Sequence, residues 1–302
     1  MDTKSRYMIV LILIGATVAI AQPMKPQLGS QLNREHPLAT GLVAYWTMNE
    51  GGGQAIYDLS GNRNKGTFYG DTRWVPGKFG NCLSFNGNGD YVQVSNPGSI
   101  SYLTISVWIY GITWSNSYPR IIDRVYNGQF SFYVWASEQK LSWALSTVGG
   151  SVDRARDSTV PISLHTWQHC VLTYDGVSAK VYLNGMLKET VSTGLSGPLS
   201  SSSSNVRIAE RVDAGGTRAF NGFIDNVMIF NRALTASEVA QLHRERFCMF
   251  SKSPLPLYVA AGAAPKRNRV VIVAGLMDLF PSMALVVILG ILISYTRFTE
   301  KR

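Results

Sequence analysis

From Gly41 to Phe247 apolar and polar positions interleave in runs too short for most helices. VAYWTM, CLSFNG, YVQV, LTISVWIY, IIDRV, FSFYVW, KLSWALS, WQHCVLTYD, AKVYLNG, NVRIAE and FIDNVMIF are rich in β-branched and aromatic residues. Turn signals such as NGNGD, VGG, YDG, LNG and DAGG separate them. Many short strands at close spacing predict an all-β sandwich or barrel. One helix is expected, in RALTASEVAQLHRERF, where Thr235 and Glu238 have capping-box spacing ahead of Val239 and Leu242.

The two ends carry a different pattern. Lys4 and Arg6 precede an apolar run from Tyr7 to Ile20 that closes on Ala19-Ile20-Ala21. This is the order of a secretory signal peptide, with cleavage near Ala21/Gln22; an uncleaved anchor is the alternative. The run from Val270 to Tyr295 is long enough to cross a bilayer as a helix, with Asp278 and Pro281 interrupting its first half. Lys266, Arg267 and Arg269 flank one side and Arg297, Lys301 and Arg302 the other, so the basic flanks alone do not orient it. Signal cleavage does: the large domain outside, a short tail inside. The organisation expected is a signal peptide (1–21), a polar leader (22–40), a strand-rich domain (41–247), a Pro-containing linker (248–269), a transmembrane helix (270–295) and a basic tail (296–302).

Net charge changes the picture only by where it sits. The chain carries +9, but Gly41 to Phe247 holds 17 Lys/Arg against 15 Asp/Glu. The excess therefore lies beside the membrane segments, where basic residues serve topology and contact with anionic headgroups. No basic stripe interleaves with aromatics, so nucleic acid is not an expected partner. Cys82, Cys170 and Cys248 fit neither a zinc spacing nor a C-x-x-C motif. Cys82 and Cys170 either pair, in an exported protein, or are buried free thiols. No N-x-Ser/Thr sequon occurs, in keeping with a bacterial cell envelope.

GLVAYWTMNEGGG, DLSGNRNKG, WVPGKFGNCLSFNGNGDYVQV, LTISVWIY, TWQHCVLTYDGVSAKVYLNG and FNGFIDNVMIFNRALTASEVAQL follow one another along the chain. This series resembles a laminin G-like domain of the concanavalin A-like lectin/glucanase superfamily, over Gly41 to Phe247. The resemblance implies a two-sheet jelly-roll sandwich with one concave face. For function it implies an exported adhesion or carbohydrate-binding module, or an accessory domain; a fold does not by itself fix which.

GNRNKG lacks the spacing of a phosphate loop. Ser60 stands in no triad context with His36, His165, His169 or His243. Glucan-cleaving members of the superfamily carry an E-x-D-x-x-E strand, which is absent here, and the chain has only eight glutamates. A non-enzyme is expected. Asp58, Asn62, Asn64 and the carbonyl near Gly66 offer oxygens that suit a hard cation such as calcium. Related jelly rolls hold a structural calcium where the first and last strands meet, which the resemblance extends to Asp225. The alternative is that Asp58 caps an Asx-turn through local amides, and Arg63 and Lys65 lower the negative charge; both readings stand.

The family register puts Phe130, Phe132 and Val134 in the core, so Tyr133 and Trp135 are expected on the opposite, exposed face. Leu141, Trp143 and Leu145 of the next strand then face the core. Trp114, Tyr118 and Arg120 of GITWSNSYPR are expected to rim the same face. Such aromatics suit sugar rings, or cover a scaffold, or meet a partner subunit. The expectation is a single-pass, extracytoplasmic, non-catalytic module that binds a glycan or protein ligand. The alternative is a structural accessory subunit contacting other membrane-protein subunits; a glycoside hydrolase is the third and least supported reading.

Overall fold

The computed structural model describes residues 25–26, 29–114, 116–126, 128–153, 158–213 and 218–250. All lie in the first of two units, residues 1–252. Among the described residues no helix is long and apolar enough to cross a membrane; the expected signal peptide and the Val270–Tyr295 run lie outside them.

Sixteen strands are described, in chain order: β1 (Leu42–Trp46), β2 (Ala55–Ile56), β3 (Gly66–Tyr69), β4 (Arg73–Gly77), β5 (Gly80–Asn86), β6 (Tyr91–Val94), β7 (Leu103–Thr113) and β8 (Arg120–Arg124). Then come β9 (Phe130–Trp135), β10 (Lys140–Thr147), β11 (Gly150–Asp153), β12 (Gln168–Tyr174), β13 (Ala179–Leu183), β14 (Met186–Val191), β15 (Val206–Ile208) and β16 (Asn221–Phe230). The first sheet has the order β14-β13-β12-β7-β16-β5-β4, with β1 also paired to β16; the second is β11-β10-β9-β8-β15-β6-β3-β2. The pairings within both sheets are antiparallel, which gives the all-β two-sheet sandwich that the strand pattern predicts.

Alternation decides what each strand buries. In β7, Leu103, Ile105, Val107 and Ile109 enter the inter-sheet core, and in β9 Phe130, Phe132 and Val134 do. Leu141, Trp143 and Leu145 of β10 join them, with Trp46, Leu83, Phe85, Ile224, Val227 and Ile229 from the first sheet. The register expected for β9 and β10 is the one found. Cys82 and Cys170 are buried free thiols, with Cys82 pushed up to about 12 by burial.

The outer face of the first sheet is covered. Helix α1 (Ala236–Arg244) starts with the expected capping box: Glu238 N–H donates to Thr235 Oγ1 and Thr235 N–H to Glu238 Oε2. Its Val239 and Leu242 pack with Tyr45, Val171, Tyr182, Met228 and Phe230. Leu38 from the leader and Met249 and Phe250 from beyond the helix join this second cluster. The sequence pattern missed that packing. The leader's apolar residues are too sparse to show a period, yet Leu32 bridges Phe250, and Asn33 N–H donates to the Met249 carbonyl at 2.7 Å. The packed domain therefore takes in residues on both sides of the expected 41–247.

At one end of the sandwich Arg124 is fully buried and fully engaged. Its guanidinium donates to the carbonyls of Gly98, Ser202 and Ser204 and to Gln129 Oε1 and Asn96 Oδ1, tying two loops to β8. Burial pushes it down to about 10.

Trp143 is fully buried, and its indole N–H donates to Glu189 Oε2 at 3.2 Å. Trp143→Ala should destabilise the domain by about 3–5 kcal/mol through the lost contacts and the cavity left behind. Urea unfolding checks this; a loss under about 1 kcal/mol would put Trp143 outside the core.

Candidate functional site

The outer face of the second sheet carries the second set of alternating residues. Strand register aligns them into one row across all eight strands. Asp153 lies opposite Ala144, Ala144 opposite Ser131, and Ser131 opposite Asp123. Asp123 faces Arg207, Arg207 faces Gln93, Gln93 faces Thr67, and Thr67 faces Ala55. Small and polar residues fill this row, because the apolar members of each strand are taken by the core.

A parallel row holds the aromatics. At its centre the Arg120 guanidinium lies 4.1 Å over the Tyr133 ring and 5.1 Å over Tyr126. Arg120 Nη1 donates to the Tyr118 carbonyl at 2.9 Å, and its Nε is 3.6 Å from Asp123 Oδ1. Tyr118 meets Tyr133 edge-on at 6.2 Å, Arg218 lies over Tyr118 and Arg211 over Tyr126, both at 4.8 Å. The hydroxyls of Tyr126 and Tyr133 donate to Asp153. Asp123 Oδ2 accepts the Val212 N–H, and Glu210 Oε1 accepts those of Arg211 and Arg218. Burial pushes the Asp123 and Glu210 carboxyls and the Tyr133 phenol up and Arg120 down.

Toward β3, the strand next to the β2 edge, the face opens. Tyr69 and Tyr91 stack at 4.6 Å and 7°, and the Arg207 guanidinium covers the other side of Tyr91 at 4.2 Å. Arg207 Nη1 donates to the Arg211 carbonyl at 3.1 Å, which fixes the plane of the stack. Tyr69 remains 42 % exposed.

The expected ligand residues divide on this geometry. Tyr118, Arg120 and Tyr133 come together. Tyr133 points to the expected face but is 1 % exposed rather than open, because Arg120, Tyr118 and Tyr126 close over it. Trp135 sits half-buried at the end of β9 under Lys140, with the ammonium 5.4 Å from its ring. Trp114 leaves the group: it packs on Phe220 at 5.6 Å and over Gly111, whose missing side chain makes room for the indole. Tyr69, Tyr91 and Arg207 were missed. The alternation of GTFY and YVQV points them off the core, but only the pairing of β3 with β6 and of β6 with β15 makes them neighbours.

The Asp58 loop is an Asx-turn. Asp58 Oδ1 accepts the N–H groups of Tyr45 and Ser60; Oδ2 accepts Ser60 Oγ–H, Asn64 N–H and Asn64 Nδ2. Asn62 and Asn64 turn their amide donors to the Val43 carbonyl, and the Asn64 carbonyl accepts the Trp46 indole N–H. Gly66 lies against Ile56 and Val92 in β3. Asp225, expected beside this loop, is paired with Lys25. These residues do not fit a cation as arranged, since a metal at Asp58 would have to displace five internal donors. Among the described residues no group of three or more His, Cys, Asp or Glu is set to hold a metal. His169 is buried, stacks on Trp108 and bonds Ser106 Oγ through Nε2 at 2.8 Å; burial pushes it down to about 3, a packed neutral ring.

A saturated Asx-turn predicts that a chelator leaves the melting temperature unchanged, whereas Asp58→Ala lowers it by several degrees. Differential scanning calorimetry checks both. A chelator-induced drop reversed by calcium would restore the cation reading of this loop.

No curated protein matches the chain. A family model described as the concanavalin A-like lectin/glucanases superfamily, of laminin G type, matches residues 86–240. Among solved structures the chain is similar to the binding domain of Paraclostridial Mosquitocidal Protein 1 (20% identity, TM-score 0.55, covering 70% of this chain and 53% of that one). It is also similar to Domain 4 of AbnA, a GH43 extracellular arabinanase from Geobacillus stearothermophilus, solved with arabinotriose (19%, TM-score 0.54, 67% and 98%). A third is the botulinum neurotoxin serotype D binding domain (15%, TM-score 0.51, 68% and 52%). The chain thus spans about half the length of the two toxin structures, and at these identities the likeness is one of fold. The family match extends over half of the 302 residues and takes in β6 to β16, strands of both sheets, so the chain belongs to the concanavalin A-like lectin/glucanases superfamily as a laminin G-type member.

Proposed function

We propose that this chain is a non-catalytic binding module that recognises carbohydrate on the outer face of its second sheet. The observation that carries this reading is the solvent-open stack of Tyr69, Tyr91 and Arg207 beside a polar row running across the whole sheet. A sugar ring needs an apolar face to lie on and donors and acceptors held in fixed directions around it. Tyr69 offers the face; Gln93, Thr67 and Arg207 offer the polar groups. Because these side chains stand on paired strands, little ordering entropy is lost on binding. The arabinotriose-bound likeness and the toxin binding domains support a binding role.

Catalysis is disfavoured by what the carboxylates are doing. Glycoside hydrolysis needs two carboxyl groups flanking the bond, one of them free to give a proton. Asp123 and Glu210 are held by main-chain amides, and Asp153 receives two tyrosine hydroxyls. The module would be displayed outside the membrane by the C-terminal apolar run, a reading that rests on the sequence pattern of the two ends.

Two outcomes are expected. Tyr69→Ala and Tyr91→Ala should each weaken binding to the best hit of a glycan array by about 1–3 kcal/mol, measured by calorimetry, with far-UV dichroism unchanged; wild-type affinity in both variants would exclude this face. Protease added to intact cells or spheroplasts should digest the domain and leave a C-terminal membrane fragment. Protection until the membrane is opened would reverse the orientation.

A further inference from the structure

The ammonium of Lys25 sits where three distant parts of the chain bring oxygen atoms together. It donates to the Met48 carbonyl at 2.9 Å, to the Asn81 carbonyl, and to Asp225 Oδ1. Met48 follows β1, Asn81 lies in β5 and Asp225 in β16, so the cage joins the end of one strand to two neighbouring ones. The side chains of Lys25 and Asp225 are 1% and 0% exposed. The lysine's aliphatic stem passes Gly80, where an added Cβ would lie 3.7 Å from it. An ammonium has three donors, and here each has an acceptor. The carboxylate is not used up by the ammonium: Asp225 Oδ1 also accepts the Asn226 N–H at 2.8 Å, and Asp225 Oδ2 is buried with no hydrogen-bond partner.

Two main-chain carbonyls and a carboxylate, with its second oxygen unpartnered, form the donor set of a hard cation. A carboxylate sealed from water needs a positive partner. Burial pushes Asp225 up to about 7 and Lys25 down, and the contact between the two opposes both shifts. We infer that this cage is an interior cation site whose cation is supplied by the chain itself, as the Lys25 ammonium, and that removing the ammonium leaves a site for a free hard cation such as calcium. The leader then belongs to the fold as a strap. Its fastening is reinforced at the next residue of each segment, where Asn49 Nδ2 donates to the Pro26 carbonyl at 2.8 Å.

The test compares melting of the full chain in detergent for wild type, Lys25→Ala, and the neutral pair Lys25→Met with Asp225→Asn. In chelator, Lys25→Ala should melt several degrees below wild type. Calcium in the millimolar range, or propylammonium as the missing side chain, should restore at least half of that loss saturably. Wild type and the neutral pair should be blind to both. The inference is overturned if Lys25→Ala melts like wild type, if no calcium or propylammonium concentration restores it, or if calcium stabilises wild type as much as the variant. Failure of Lys25→Ala to fold with either cation present, while the neutral pair folds, also overturns it, because the cage would then have no room for a free ion.

Discussion

The inter-sheet core constrains everything else in this domain. Each strand of the second sheet must give one side to that core, so Phe130, Phe132 and Val134 of β9, and Leu141, Trp143 and Leu145 of β10, fix those strands in register. A slip of one residue would exchange the two faces and bury Ser131 and Tyr133 in their place. With the register held, the other side has no choice about where its side chains stand. The polar row from Asp153 to Ala55 is the complement of the core, set by the same packing.

Buried polar groups show how far the interior depends on complete pairing. Arg124, with its five hydrogen bonds, and Lys25, with three, are satisfied mostly by groups far apart in the chain, while Asp58 takes four of its five from Ser60 and Asn64 and the fifth from Tyr45. In a low-dielectric interior such networks define one arrangement, since losing a partner leaves a charge or dipole without solvent. The Arg120 cluster belongs to the same class. Its tyrosines and guanidiniums are locked by cation-π contacts and by Asp153 and Asp123, which makes it a rigid floor rather than an open platform. The open ring lies at the margin of that floor, at Tyr69, which is where the proposed recognition is placed.

This division also separates the two faces of the sandwich in role. The outer side of the first sheet is covered by α1, the leader and Phe250, and holds the packed pair His169 and Trp108. The outer side of the second sheet has no helix across it among the described residues and presents stacked rings next to hydrogen-bonding groups. Among the described residues one face is thus covered and the other is not, which is the arrangement that the proposed binding role requires.

The sequence by itself determined the elements and their faces. Period-two alternation put Phe132 and Tyr133 on opposite faces, with the family resemblance naming Phe132 as the inward one, and the Thr235/Glu238 spacing placed the start of α1; alternation and capping both follow from backbone geometry within a few residues. It left open whether Asp58 served a metal or a turn, because the answer depends on the five donors that reach it. Tertiary structure alone decided that Tyr133 is covered, that Trp114 turns to Phe220, and that Tyr69, Tyr91 and Arg207 form one stack. It alone joined Lys25 to Asp225 across 200 residues. Strand order in a sandwich is set by which non-consecutive strands pair, and that pairing is a sum over many long-range contacts that leaves no local periodicity to read.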